Sequence, residues 1–253
     1  MISANTLFHF TGNLENLISI LTHEFQPRFC LEDLTVVFAG RNPPSVLELA
    51  VPMVCFCDIP LSQTASHLSA YGDYGIGLTK AWGQKNGITP VLYLHHRSLA
   101  ASTLGKLLEK IRDADLDPDY KGELSQNLYD LSCYVKPYEG TFSRDNRQTE
   151  NYRFYDEREW RYVPVMPPDF HRTGMKKSDF INLETRERAN ERLAGISRIG
   201  FEPNDIKYLI VRREEGIVPF ITEVKRIKGK YSHDDVELVA SRVISAEQIR
   251  ADF

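Results

Sequence analysis

The sequence predicts one α+β domain over residues 1–253, with mixed or antiparallel sheets, flanking helices and a helical insertion at 97–135. Three observations predict it. Short apolar runs outnumber segments with sustained helical spacing, and the two kinds do not alternate regularly, which disfavours a doubly wound parallel sheet. The clearest helical stretch, 97–135, interrupts a series of strands. No repeat, low-complexity tract or linker divides the 253 residues, and a chain of that length supports one large core.

Taken in order, Leu7-Phe8-His9-Phe10-Thr11 alternates, so a strand places Leu7, His9 and Thr11 on one face. Gly12 breaks it. Asn13 is a good N-cap, and Leu14, Leu17, Ile18 and Leu21 recur at the spacing of a helix of about three turns. Residues 25–50 show no strong period, and Arg41-Asn42-Pro43-Pro44 reads as a loop. Met53 to Cys57 is an apolar run closed by Asp58 and Pro60, consistent with a buried strand. Ser62 to Ala70 reads as helix, Tyr71 to Leu78 as a glycine-punctuated turn entering a strand, and Pro90 to Leu94 as another strand.

Within 97–135, Leu104, Leu107, Leu108 and Ile111 mark one helix. Leu124, Leu128 and Leu131 mark a second after Asp117-Pro118-Asp119, and the pair is a candidate cap over a site. The polar run from Tyr138 to Tyr152, with Arg144, Asp145, Asn146 and Arg147, reads as an exposed loop. Arg158 to Val163 resumes the strand pattern before Pro164, and 184–194 reads as a charged helix. Ile206 to Val211 and Val236 to Ile244 read as strands. Ser245 with Gln248 three residues on is a capping box for a last short helix.

A net charge of −4 gives no global attraction to nucleic acid or anionic membrane. No run approaches the ~18 apolar residues of a membrane span, and Met-Ile-Ser-Ala-Asn-Thr lacks the regions of a secretory signal. Four cysteines, Cys30, Cys55, Cys57 and Cys133, do not suggest a disulfide scaffold. A cytoplasmic protein without membrane association is the simplest reading.

Glu157-Arg158-Glu159-Trp160-Arg161 is the sharpest chemical feature. As a strand it puts Glu157, Glu159 and Arg161 on one face. Such carboxylates could stabilise an oxocarbenium-like transition state or bind a ribose hydroxyl; a solvated edge with Glu–Arg pairs is the alternative. His9 and Thr11 could hold a ribose or phosphate beside the Asn13 helix, or His9 could be a core histidine satisfied by a carbonyl. Tyr71 or Tyr74 could stack on a heterocycle or simply pack on the core.

Cys55, Cys57, His95 and His96 lack the ordered spacing of a zinc site, so no metal is expected. The glycines match neither a Rossmann fingerprint nor a P-loop, and no Gly-x-Ser-x-Gly or His-Glu-x-x-His is present. Lys225, Arg226, Lys228 and Lys230 form a basic run beside an expected hairpin, able to touch phosphates or to protect a sheet edge.

The ordered series Leu7–Thr11, Pro52–Ser62, Tyr71–Gly77 and Tyr155–Arg161 resembles the AbiGi family of abortive-infection, phage-resistance proteins. The likeness spans roughly residues 7–165, with weaker similarity through 200–253, and Cys55-Phe56-Cys57-Asp58-Ile59-Pro60-Leu61-Ser62 within Pro52–Ser62 is a quite specific stretch. It implies the antitoxin half of a two-component system, with a toxin or antitoxin partner. The same order resembles, more remotely, the ADP-ribosyltransferase fold. That resemblance implies NAD as substrate, with His9 and Thr11 on the adenosine-side ribose and Tyr71 or Tyr74 on nicotinamide. Glu159 would sit on the nicotinamide ribose with Glu157 upstream, and ADP-ribose would pass to a protein or nucleic-acid acceptor. Two functions are thus expected to compete: such a transferase, and a non-catalytic antitoxin that binds a toxin. The first requires His9, one tyrosine and Glu159 to line a single cleft.

Overall fold

The computed structural model describes residues 3–38, 47–144, 147–167 and 174–252. The chain opens with strand β1 (Thr6–Thr11) and helix α1 (Leu14–His23), then β2 (Arg28–Asp33) and the long β3 (Glu48–Cys57). Next come α2 (Ala65–Tyr71), β4 (Tyr74–Thr79), α3 (Lys80–Lys85), β5 (Thr89–Pro90) and β6 (Leu92–Leu94). The helical insertion follows as α4 (Leu99–Asp113) and α5 (Pro118–Ser132), and then β7 (Val135–Pro137), β8 (Gly140–Arg144), β9 (Arg147–Tyr152) and β10 (Glu159–Tyr162). The remainder is β11 (Met175–Lys176), α6 (Lys177–Ile181), α7 (Leu183–Ala194), β12 (Ile206–Val211), α8 (Ile217–Lys228), α9 (His233–Ala240), β13 (Val243–Ser245) and α10 (Ala246–Asp252).

A mixed sheet runs β13-β12-β4-β1-β3-β10-β5, with β2 and β11 also paired to β3. The α+β class is as the sequence predicts. β12 and β13 are parallel, and the other pairs of this sheet are antiparallel. Phe8 pairs with Cys57, and Cys57 with Glu159. Directly paired residues share a face, so this register sorts every side chain of the centre.

On one face Leu7, Phe56, Ile76 and Leu209 pack beneath Leu17 and Leu21 of α1, Phe25, Trp82 of α3, and Phe220 and Val224 of α8. Each such large apolar side chain contributes about 1.5–3 kcal/mol on burial. On the other face Phe8, Cys57 and Ile210 pack against Leu68 of α2 and Ile249 of α10. Asn13 caps α1 by accepting from the Asn16 amide at 2.8 Å. Ser245 and Gln248 exchange both hydrogen bonds of a capping box at 3.0 Å.

The insertion is the helical pair expected at 97–135. It joins β6 to β7, which lie side by side in parallel register, Leu92 opposite Val135. Parallel neighbours need a long crossover connection, and α4–α5 provides it. Leu94, Ala101 and Val135 pack there on Leu34, Val36 and Val37.

Several expectations need correction. The run Tyr138–Tyr152 contains the hairpin β8–β9 rather than a loop, held by stacking of Phe142 on Tyr152 at 4.8 Å between ring centres; Asp145 and Asn146 lie outside the described residues, as does Arg41–Pro44. Val236–Ile244 is not one strand. Ser232 caps α9 through the Asp235 amide, and Val236, Val239 and Ala240 bury one helical face before β13 begins at Val243. Lys225, Arg226 and Lys228 end α8 instead of flanking a hairpin, and Lys228 is buried against the Leu21 carbonyl at 3.0 Å. Pro90–Leu94 splits between two sheets. Residues 25–50 hold β2, whose apolar Phe29 and Leu31 are interrupted by too few residues to show a period.

Candidate functional site

The Glu-x-Glu segment lies where the main sheet meets the insertion. Phe154–Glu157 forms a 3-10 turn and Arg158 takes a left-handed backbone, φ 48°. Glu157 therefore precedes the strand rather than alternating along it, which corrects the simple strand reading. The turn still brings it beside Glu159. Both carboxylates are buried, at 4% and 5% exposure, and Arg161 is at 0%. The solvated-edge alternative does not describe them.

Three buried charges so close require partners. Lys136 of β7 donates to Glu157 at 2.7 Å and to Glu159 at 2.6 Å. Arg161 reaches Glu159 at 2.5 Å, Glu32 of β2 at 2.6 Å and the Cys133 carbonyl at 2.8 Å. The Tyr71 hydroxyl donates to Glu157, and the Tyr93 hydroxyl accepts from the Glu159 amide at 2.8 Å. Burial alone would raise the Glu159 carboxyl, but Arg161 and Lys136 outweigh it and hold that group well below the usual carboxylate range. Burial alone would lower Lys136, yet Glu159, Glu32 and Glu157 together raise it well above an ordinary lysine. Burial, then the Glu157 charge, pushes the Tyr71 hydroxyl far up, so it stays a donor. These ion pairs join β2, β7 and β10, and the Tyr71 hydroxyl ties α2 to Glu157.

The other expected ligand residues lie elsewhere. Phe8 shares the face of Cys57 and Glu159, so His9, one residue on, points through the opposite face. Its ring sits 5.3 Å from Phe25 and 5.8 Å from Phe56, and its Nδ1–H donates to the Cys55 carbonyl at 2.8 Å. His9 is half-buried there, against the aromatic core of that face. Thr11 Oγ1 accepts from Asn16 at 2.9 Å, and Tyr74, paired with Thr11, packs on the core of that same face. The sheet thus brings Tyr71, Glu157 and Glu159 together and separates them from His9, Thr11 and Tyr74. The single cleft that the transferase resemblance requires is not formed by these residues.

Lys136, Glu32 and Tyr93 carry the cluster, and nothing in the sequence singles them out. Lys136 lies 23 residues from Glu159, and Glu32 lies 129 from Arg161. The only signal was unmet need: Glu-x-Glu-x-Arg on a strand facing inward demands compensating charge. His67 lies beside this group, its ring 5.9 Å from that of Tyr71, with burial lowering its pKa against the pull of Glu157. The cysteines show no metal arrangement: among the described residues no group of three or more His, Cys, Asp or Glu is placed to hold an ion. Among the same residues no helix is long and apolar enough to cross a membrane.

Comparison with known proteins adds sequence relationships. Residues 23–212 match the family model described as "Putative abortive phage resistance protein AbiGi, antitoxin". A protein of Lactococcus lactis subsp. cremoris named "Abortive phage resistance protein AbiGi" is 28% identical over 250 residues, covering 90% of this chain and 99% of that one. No solved structure matches the chain significantly, so the transferase-like part of the fold expectation finds no counterpart there.

Proposed function

The chain belongs to the AbiGi family of abortive phage resistance proteins, and from that premise we propose that it is a non-catalytic antitoxin that restrains a toxin partner during phage defence. One observation carries this reading over the transferase one. Both oxygens of Glu159 are engaged, by Lys136 and Arg161, and His9 stands on the far side of the sheet. A carboxylate that stabilises a developing sugar cation must face the substrate; this one faces its own counter-ions. The family description as an antitoxin favours the same reading.

The cluster then has a positioning role. It fastens β7, and with it the α4–α5 pair, to β10 and β2. A rigidly held projection suits recognition of a protein surface, because ordering it beforehand lowers the entropic cost of binding. Co-expression with the toxin component of the same defence locus tests the proposal. Restored growth and co-elution as one complex are expected; growth arrest unaffected by the chain overturns it. In a second arm, purified protein is incubated with NAD. No nicotinamide release above buffer is expected, and release that Glu159→Gln abolishes in a folded variant would reinstate catalysis.

A further inference from the structure

A second polar site lies outside the buried cluster. β1, β12 and β13 run in the same direction, and Thr11 pairs with Tyr74, Ile210 with Gly75 and Val211 with Ser245. The chain therefore leaves all three strands at one edge of the sheet. Two adjoining hollows of about 310 and 460 Å³ open there and share Asp73, Arg212 and Arg250.

The floor is backbone. Gly72 has φ +119°, and a Cβ on it would stand 2.3 Å from the Thr11 carbonyl oxygen and 2.5 Å from the Gly12 Cα. Only glycine lets these two turns meet so closely. Above Gly12 the space is open, with nothing within 4 Å of where its Cβ would be. The ten-residue helix α1 starts two residues later, so its positive end adds to the field at the floor.

The walls are charged. Asp73 holds Arg212 at 3.3 Å and Arg250 at 2.5 Å, so one carboxylate keeps two guanidinium groups side by side. Each guanidinium has five N–H donors, and this pairing leaves most of them for another acceptor. Arg213 lines the rim and pairs with Glu215 at 3.4 Å, and Glu247, also lining it, accepts from the Glu214 amide at 3.4 Å. The lining charges Arg212, Arg213 and Arg250 against Asp73 and Glu247 leave one positive charge in excess. The size lies within the ~300–1,000 Å³ of small-molecule sites, while the open, charged lining suits a hydrated anion over an apolar ligand.

We propose that this cleft binds a phosphate-bearing small molecule, its phosphate bridging Arg212 and Arg250 above the Gly12–Gly72 floor. Two guanidinium forks set by a shared carboxylate match the several oxygens of a phosphate better than a single carboxylate ligand would. The site is separate from the Glu159 cluster and does not depend on the antitoxin reading.

Calorimetric titration of the full chain with inorganic phosphate, pyrophosphate and ADP tests it, with acetate at matched ionic strength as control. Phosphate compounds are expected to bind with Kd on the order of 1 mM or tighter, and acetate not to bind. Arg212→Gln and Arg250→Gln should each weaken binding about tenfold or more. Arg212 is mostly exposed, so its variant should keep the wild-type melting temperature and separate binding from folding. Binding of ADP but not of phosphate or pyrophosphate would also overturn the phosphate-centred geometry. No binding by any phosphate compound, or equal affinity in the folded Arg212→Gln variant, overturns the proposal.

Discussion

The two faces of the central sheet bury their side chains by different physics. Around His9 the neighbours are Phe25, Phe56 and, one ring further, Trp82, and the imidazole Nδ1–H donates to the Cys55 carbonyl. Across the sheet, Glu159 and Arg161 lie among Lys136, Glu32 and Glu157, and each is stable only because the others are present. The apolar face tolerates local loss in proportion to area. The charged face fails as a unit, because removing one partner leaves another buried charge uncompensated. The same strand pair, β3 and β10, supports both. Which face a residue of this pair joins follows from whether its position is odd or even.

The contrast breaks most visibly at Arg161. Arg161→Met should cost about 3–5 kcal/mol, read from urea denaturation, since Glu159 and Glu32 lose their shared cation. A cost below about 1 kcal/mol would mean the cluster is far wetter than its burial indicates. Adding Glu159→Gln to Arg161→Met sharpens the point. The double variant should be more stable than the sum of the two single losses by about 0.5–3 kcal/mol, because the second change removes a buried carboxylate that has lost one of its two cations. Strict additivity would contradict a coupled network.

Acid should weaken the charged cluster. The folded Glu159 carboxyl lies below its unfolded value, so its stabilising contribution is complete above about pH 4.3 and fades as the pH falls towards the folded value. The stability gap between wild type and Glu159→Gln should therefore narrow on acidification. A gap that is constant from neutral pH down to about pH 3 would show that Glu159 has an ordinary pKa. On the apolar face, His9→Leu should cost about 1–3 kcal/mol, the penalty for a buried carbonyl left unpaired. It should leave toxin neutralisation intact; loss of neutralisation in a stably folded His9→Leu protein would point to a ligand-contacting role.

Much of this fold is written in local chemistry. Alternation located β1, β10 and β12, the Asn13 and Ser245 caps set the starts of α1 and α10, and leucine spacing marked α4 and α5. One local signal was present but outweighed: Ser232 with Asp235 marks the start of α9, although its valines suggest a strand. In the hairpin β8–β9 polar residues obscured the alternation, and stacking of Phe142 on Tyr152 across its two strands holds it.

The sequence by itself determined the alternation around Glu159 and Arg161, and so that these two share a side of their strand. Only the tertiary structure decided which side that is, because register between β1, β3 and β10 is a relation among residues about fifty and a hundred apart. It also supplied Lys136 and Glu32 as counter-charges and drew Arg212 and Arg250 to one carboxylate. Charge compensation acts through space over a few ångströms, and no spacing along the chain encodes which distant residues will arrive within that reach.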